Sequence, residues 1–262
     1  MSNHIEVEYR DDDARGSVAR IVIDNRDRIN ILNSDLIDQL ISSVNGLAND
    51  QRLRVLVITG AGEKAFIGGA DINEMATLGT NDEGSSARQF ITILHYACSA
   101  LRGLPVPVIA RINGYCLGAG LEIAASCDMR VAADHSIFGM PEVKVGIPSV
   151  IEAALLTRLI GWGRTAKLVF TGESISASDA LAWGLVERVV PADQLDREVE
   201  QLTESILNAG PRAIRLQKQL MREWERLPIE EAIERGIESF ATAYETEEPR
   251  RFMQRFLKRK RE

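Results

Sequence analysis

The stretch Val106-Pro107-Val108-Ile109-Ala110-Arg111-Ile112-Asn113-Gly114-Tyr115-Cys116-Leu117-Gly118-Ala119-Gly120-Leu121-Glu122-Ile123-Ala124-Ala125-Ser126 decides the fold class. Its first part, Val106–Arg111, is apolar and reads as a strand. Asn113–Gly120 follows as a glycine-rich turn, and Leu121–Ser126 opens a helix with too little polar character to face water. Strand, glycine turn and helix in direct succession form the building unit of an α/β protein.

The same theme recurs on both sides. Upstream, Arg54–Thr59 is a nearly continuous apolar run, as a buried strand should be. A glycine-rich loop, Gly60–Gly69, comes next, then a polar stretch over Gly79–Ser86 and a helix over 87–102. Val18–Ile23 alternates loosely and reads as another strand. After the polar loop Asp24–Arg28, residues Leu36, Ile37, Leu40, Ile41, Val44 and Leu47 recur at helical spacing, with Asn33 or Ser34 as the candidate N-cap. Downstream, Met129–Ala133 is a further strand. The spacing of these units is too irregular for a repeat array. From residue 194 the composition changes to amphipathic helices, Leu195–Asn208, Pro211–Glu225 and Pro228–Ala243, followed by the basic run Arg250–Arg261, whose simplest reading is a solvated terminus. A core over 1–193 and a helical region over 194–262 are therefore expected.

Composition narrows the function classes. A formal charge of −7 argues against a nucleic-acid partner, whose electrostatic footprint is basic. The three cysteines, Cys98, Cys116 and Cys127, lack CxxC spacing, which argues against a disulfide framework or a thiolate zinc site and points to a reducing compartment. His4, His95 and His135 are too scattered for a metal cluster or a nucleophile triad. Met1–Arg10 is acidic rather than apolar, and no run approaches the ~18 apolar residues of a membrane span. A cytoplasmic protein without a membrane partner is expected.

Chemistry concentrates in a few residues. The turns Phe66-Ile67-Gly68-Gly69-Ala70-Asp71 and Asn113–Gly120 each follow a strand, and each carries a small residue, Ala70 or Ala119, where free backbone N–H groups point outward at a helix start. Two such N–H groups from different turns, if they converge, form an oxyanion hole; tight strand-to-helix packing also explains the glycines. Glu122 lies in the apolar run Leu121–Ala125, where an unused carboxylate is costly, although a charge at a helix start also satisfies the dipole. Glu142 follows Pro141, whose fixed φ stiffens the loop. Two carboxylates beside two amide donors suit general acid–base work on an enolate-forming substrate.

These stretches, with Val55–Ala61, Lys64–Ile72, Phe138-Gly139-Met140-Pro141-Glu142 and Gly172–Val190, resemble the crotonase (enoyl-CoA hydratase/isomerase) superfamily across nearly the whole chain. The resemblance implies an α/β spiral of ββα units, with a helical C-terminal region that forms a homotrimer or a dimer of trimers. It implies an acyl-CoA substrate, with CoA entering as part of that substrate and no metal or redox cofactor. It makes Ala70 and Ala119 the oxyanion donors, Glu122 and Glu142 the catalytic pair of the hydratases, and Arg28, Ile29, Ile31, Ala65, Ala70, Asp71, Ile72, Asn73, Gly118 and Ala119 the substrate and CoA contacts. Phe240 and Arg259 match positions that reach CoA from the C-terminal region.

The chain departs from the family's pattern in three places. Ala119 replaces a usual glycine, which a backbone donor tolerates. Asn73 replaces a frequent lysine, removing a phosphate contact. Gly146–Ala153 stands where hydratases carry Pro-Gly-x-Gly-Gly, so Val150 and Ile151 add bulk and Glu152 a third carboxylate. Glu152 is either a first-turn helix charge or part of a smaller, more polar acyl site. The implied reaction is hydration of a short or compact 2-enoyl-CoA. The rivals are a double-bond isomerase working through Glu142 alone, a CoA-thioester hydrolase or specialised hydratase, and a catalytically silent CoA- or RNA-binding relative.

Overall fold

Leu53–Gly60 is buried at every residue and organises the molecule from its centre. Its alternate side chains feed two cores: Leu53, Leu56 and Ile58 face the main one, whereas Val55 and Val57 face a second one capped by Leu195, Val199 and Leu207. Burial on both faces explains the unbroken apolar run. Truncating Leu56 to alanine there is expected to cost about 2–5 kcal/mol.

The computed structural model describes residues 3–79 and 84–259. In chain order the elements are β1 (His4–Asp12), β2 (Gly16–Asp24), α1 (Ser34–Ala48), β3 (Leu53–Gly60), β4 (Ala65–Ile67), α2 (Ile72–Met75), α3 (Ser85–Gly103), β5 (Val108–Ile112), β6 (Tyr115–Leu117), α4 (Ala119–Ser126), β7 (Met129–Ala133) and β8 (Ile137–Gly139). Then follow α5 (Leu156–Ile160), α6 (Trp162–Thr171), β9 (Ser174–Ser176), α7 (Ala177–Trp183), β10 (Arg188–Val190), α8 (Leu195–Leu207), α9 (Pro211–Trp224), α10 (Ile229–Ala243) and α11 (Glu248–Arg259). One sheet has six strands in the order β1-β2-β3-β5-β7-β10 and a second has four, β4-β6-β8-β9. The β1–β2 hairpin is antiparallel, but β2, β3, β5, β7 and β10 run parallel.

Each long strand of the first sheet passes to a short strand of the second and then toward a helix: β3–β4–α2, β5–β6–α4 and β7–β8 with the helical turns after it. These are the expected ββα units. Because β4, β6 and β8 are parallel neighbours, their C-terminal ends lie side by side. That alignment brings Gly68–Ala70, Gly118–Ala119 and Met140–Glu142 together, at the edge where parallel sheets present their ligand sites.

The expected elements differ from the observed ones in instructive ways. Both glycine-rich loops contain a three-residue strand, β4 and β6, too short to register as a pattern. The strand expected from Val106 starts at Val108, after Pro107, which has no N–H to give a ladder. Helix α4 starts at Ala119, two residues earlier than expected, which puts Ala119 at its first position. Asn33 is the N-cap of α1, its side chain accepting from Leu36 N at 3.0 Å. The polar stretch over 79–86 lies partly outside the described residues. The basic run is helical through Arg259, whose side chain lies outside the described residues, as do Lys260 and Arg261.

One buried and one half-buried arginine tie the C-terminal helices to the core. The Arg54 guanidinium donates to the carbonyls of Ile206 and Ala209 at 3.0 and 2.8 Å, and Arg215 donates to the carbonyls of Asp50 and Leu53, both at 3.0 Å. Among the described residues no helix is long and apolar enough to cross a membrane.

Candidate active site

The β6–α4 turn is built around Gly118, at φ 51° and ψ −119°, a conformation closed to residues with a Cβ. Its N–H donates to the Gly139 carbonyl at 2.9 Å, tying the turn to β8, and its carbonyl accepts from Leu121 and Glu122 N–H at 2.8 and 3.0 Å. Gly120 permits α4 to lie on β4, since a Cβ there would meet the Ile67 carbonyl oxygen at 2.3 Å. Among the described residues the Ala119 N–H, at the positive end of α4, has no hydrogen-bond partner.

The first turn reaches the same result by another route. Leu32 N–H donates to the Gly69 carbonyl and Asp71 N–H to the Leu32 carbonyl, each at 2.8 Å. The Ala70 N–H between them has no partner among the described residues. Asp71 caps α2, accepting from Asn73 N at 3.0 Å, and takes both Arg28 guanidinium nitrogens at 2.8 and 3.0 Å. Arg28 holds the Asp71 carboxyl below its usual range. The preceding loop is strained, with Ile29 and Asn30 at φ 50° and 55°; buried Asn30 offsets that by donating to the carbonyls of Ala61 and Ala65 at 3.0 and 2.8 Å.

Ala70, Gly118, Ala119, Glu122 and Glu142 wall one cleft of about 200 Å³. The rest of its wall is mostly apolar: Ile72, Met75, Phe90, Ile91 and Leu94 on one side, and Val145, Ile147, Pro148 and Val150 on the other. Glu122 is 4% exposed, in a helix buried along its whole length. Its Oε1 accepts from the Ala153 N–H at 3.3 Å. Burial, reinforced by the negative charge of Glu142, pushes its pKa up to about 8. Glu142 begins a single 3₁₀ turn, Glu142–Val145, after Pro141. Its Oε2 accepts from Ser149 Oγ at 2.8 Å, and its Oε1 lies over Gly118, where an added Cβ would meet it at 2.5 Å. The two amide donors can polarise a carbonyl, while the two carboxylates can move protons to and from adjacent carbons.

Other expected site residues stand apart. Asp71, Asn73, Arg28, Ile29 and Ile31 form the shoulder beside Ala70 without walling the cleft. Ala65 is buried near the N-terminal end of β4, its carbonyl taken by Asn30. Phe240 is on α10, 67% exposed and packed on the Tyr244 ring. Val150 lines the cleft, but Ile151 and Glu152 do not. Ser149, Ala153 and the α3 wall were invisible to sequence reasoning: a backbone amide carries no residue signature, and Phe90, Ile91 and Leu94 fit any amphipathic helix.

A family model described as enoyl-CoA hydratase/isomerase matches residues 13–262. A short-chain-enoyl-CoA hydratase of Clostridium acetobutylicum is 35% identical over 94% of this chain and 93% of its own length. A crotonyl-CoA hydratase of Syntrophomonas wolfei is 33% identical over 93% of each. The crystal structure of an enoyl-CoA hydratase from Bacillus anthracis superposes with a TM-score of 0.90 at 32% identity, covering 98% of this chain and 97% of that one. This chain belongs to the crotonase (enoyl-CoA hydratase/isomerase) superfamily and is a hydro-lyase with enoyl-CoA hydratase-type activity on an acyl-CoA thioester.

Proposed function

We propose that this cleft performs reversible hydration of a short or compact 2-enoyl-CoA, with Glu122 and Glu142 as the catalytic pair and the Ala70 and Ala119 N–H groups as the oxyanion hole. The observation that carries the reading is that both free amides and both carboxylates wall the same cleft. The thioester oxygen sits between the two amides, which stabilise charge as the enolate forms; each donor is worth about 10²–10³ in rate. In hydration Glu122 accepts the proton of the attacking water as it adds to Cβ, and Glu142 protonates Cα. Each hydration hands on one proton in net terms, Glu122 gaining it from water and Glu142 giving it to Cα. Burial favours its resting on Glu122, the starting state for dehydration; hydration starts with it on Glu142.

A compact acyl group follows from a cleft of about 200 Å³, below the roughly 300–1,000 Å³ of common small-molecule sites. The relatives' short-chain and crotonyl substrates agree with this. The shoulder residues Arg28, Ile29, Ile31, Asp71 and Asn73, with Ile72 of the cleft wall and Ala65 of β4, take the CoA moiety, joined by Phe240 and Arg259 from the C-terminal region. That region, 194–262 beside a catalytic core over 1–193, assembles the chain as a homotrimer or a dimer of trimers. The exposed apolar stripe Ile229, Ile233, Ile237 and Phe240 on α10, continued by Tyr244 just after it, supports self-association. The three free, buried cysteines fit a cytoplasmic protein, and the net charge of −7 fits one without a nucleic-acid partner.

Incubation with crotonyl-CoA tests the reading: loss of the conjugated thioester absorbance with formation of 3-hydroxybutyryl-CoA is expected. Double-bond migration without water addition, or release of free thiol, would replace hydration with isomerisation or hydrolysis. A panel of enoyl-CoAs should favour crotonyl-CoA; faster turnover of long linear chains would overturn the compact-acyl reading.

A further inference from the structure

Glu152 is 7% exposed and does not wall the cleft, so the reaction itself leaves it unexplained. Its two oxygens lie 3.0 and 3.2 Å from Nδ1 of His95, whose side chain is 46% exposed at the edge of α3. A carboxylate only accepts, so Nδ1 carries the proton of this bond. Among the described residues His95 is the hydrogen-bond partner of Glu152. The residue before Glu152, Ile151, sits at φ 40°, a left-handed conformation that costs a β-branched residue about 1–3 kcal/mol and persists only when its surroundings hold it. The residue after it, Ala153, donates its N–H to Glu122. Leu94, next to His95, and Val150, two residues before Glu152, both line the cleft.

We propose that His95 and Glu152 are a positioning pair, which holds the strained 150–153 turn against α3 and thereby keeps the Ala153 amide on the Glu122 carboxylate and the apolar end of the acyl cleft closed. This rests on the reading of Glu122 as a catalytic carboxylate. The pair is a staple between two walls: α3 carries Phe90, Ile91 and Leu94, and the opposite wall ends at Val150. The titratable groups around Glu152 are His95 and Cys98 on α3 and Glu122 on α4. Burial keeps the Cys98 thiol neutral. The negative charge of Glu152 acts on Glu122 in the same direction as that of Glu142, favouring the protonated form.

Two variants separate the roles. Glu152→Gln keeps the shape and an acceptor for Nδ1 but removes the charge. It should retain KM and move the Glu122 limb of the kcat/KM–pH profile to lower pH. His95→Ala unstaples the turn. It should lower kcat on crotonyl-CoA by about 10- to 100-fold, the scale of a misplaced catalytic group, and raise the relative rate on longer enoyl-CoAs. His95→Gln, which keeps a donor, should recover part of kcat and of the chain-length preference. An unmoved pH limb in Glu152→Gln, or wild-type kcat and chain-length preference in folded His95→Ala, overturns the proposal provided that Glu122→Gln lowers turnover by about 10²-fold or more. Near-parent turnover in Glu122→Gln itself would instead refute the catalytic reading beneath it.

Discussion

Glu122 is held from two sides by turns of opposite construction. On one side, the β6–α4 turn uses Gly118 and Gly120, so its left-handed backbone and its close approach to Ile67 carry no steric penalty. On the other, the 150–153 turn obtains a positive φ from Ile151, a residue poorly suited to it, and depends on the buried Glu152–His95 contact. The first turn fixes the backbone of Glu122 and exposes the Ala119 amide; the second supplies one amide to its carboxylate. A rigid glycine frame thus sets where the carboxylate is, and an adaptable, strained turn sets its environment.

The largest expected effect lies on the carboxylates themselves. Glu122→Gln and Glu142→Gln should each lower the hydration rate by about 10²–10⁴ while preserving the fold, as loss of a general acid or base does. Near-normal hydration in either would remove that residue from the catalytic pair.

The next effect is on stability. The native protein keeps the Glu122 proton between pH 4.5 and about 8, whereas the unfolded chain has lost it, so native stability falls as pH rises through that window. Glu122→Gln removes this penalty. It should therefore be more stable than the parent at pH 7 by about 3 kcal/mol, at 1.36 kcal/mol per pKa unit, with the difference vanishing near pH 4.5. Urea unfolding at the two pH values measures it, and a gain independent of pH would contradict the environment assigned to Glu122.

Smaller effects separate the two turns. Gly118→Ala places a Cβ where Glu142 Oε1 now lies and forces alanine to positive φ. It should cost about 1–3 kcal/mol of stability and lower kcat more than it raises KM, because Glu142 must move. At Ile151 the usual order reverses: glycine relieves the strain that alanine keeps. Ile151→Gly should therefore be more stable than Ile151→Ala by about 1 kcal/mol; the opposite order in thermal melts would mean that the turn stores no strain.

This contrast also explains what the sequence made legible. Gly118, Gly120 and Glu122 stand out in the sequence, since glycines between a strand and an apolar helix mark either a donor turn or close packing, and a carboxylate there is costly. The strands β3 and β7 are long enough for their apolar runs to be read, but β4 and β6 have three residues each and pass as loop. The hairpin strand β1 escapes notice because most of its residues face water, although Ile5 and Val7 pack on the core. Ile151 carries no mark of its left-handed backbone, and the Ala153 N–H belongs to the main chain. Glu152 could be seen as an anomaly, but its partner His95 lies 57 residues away on another element. Only the pairing of α3 with the turn explains both.

The most direct test is the rate of 3-hydroxybutyryl-CoA formation from crotonyl-CoA by the parent, Glu122→Gln, Glu142→Gln and the double variant. If the two carboxylates act as a unit, the double variant should be little slower than the slower single variant. Losses that multiply, or a single variant hydrating at the parent rate, would contradict the paired-carboxylate account.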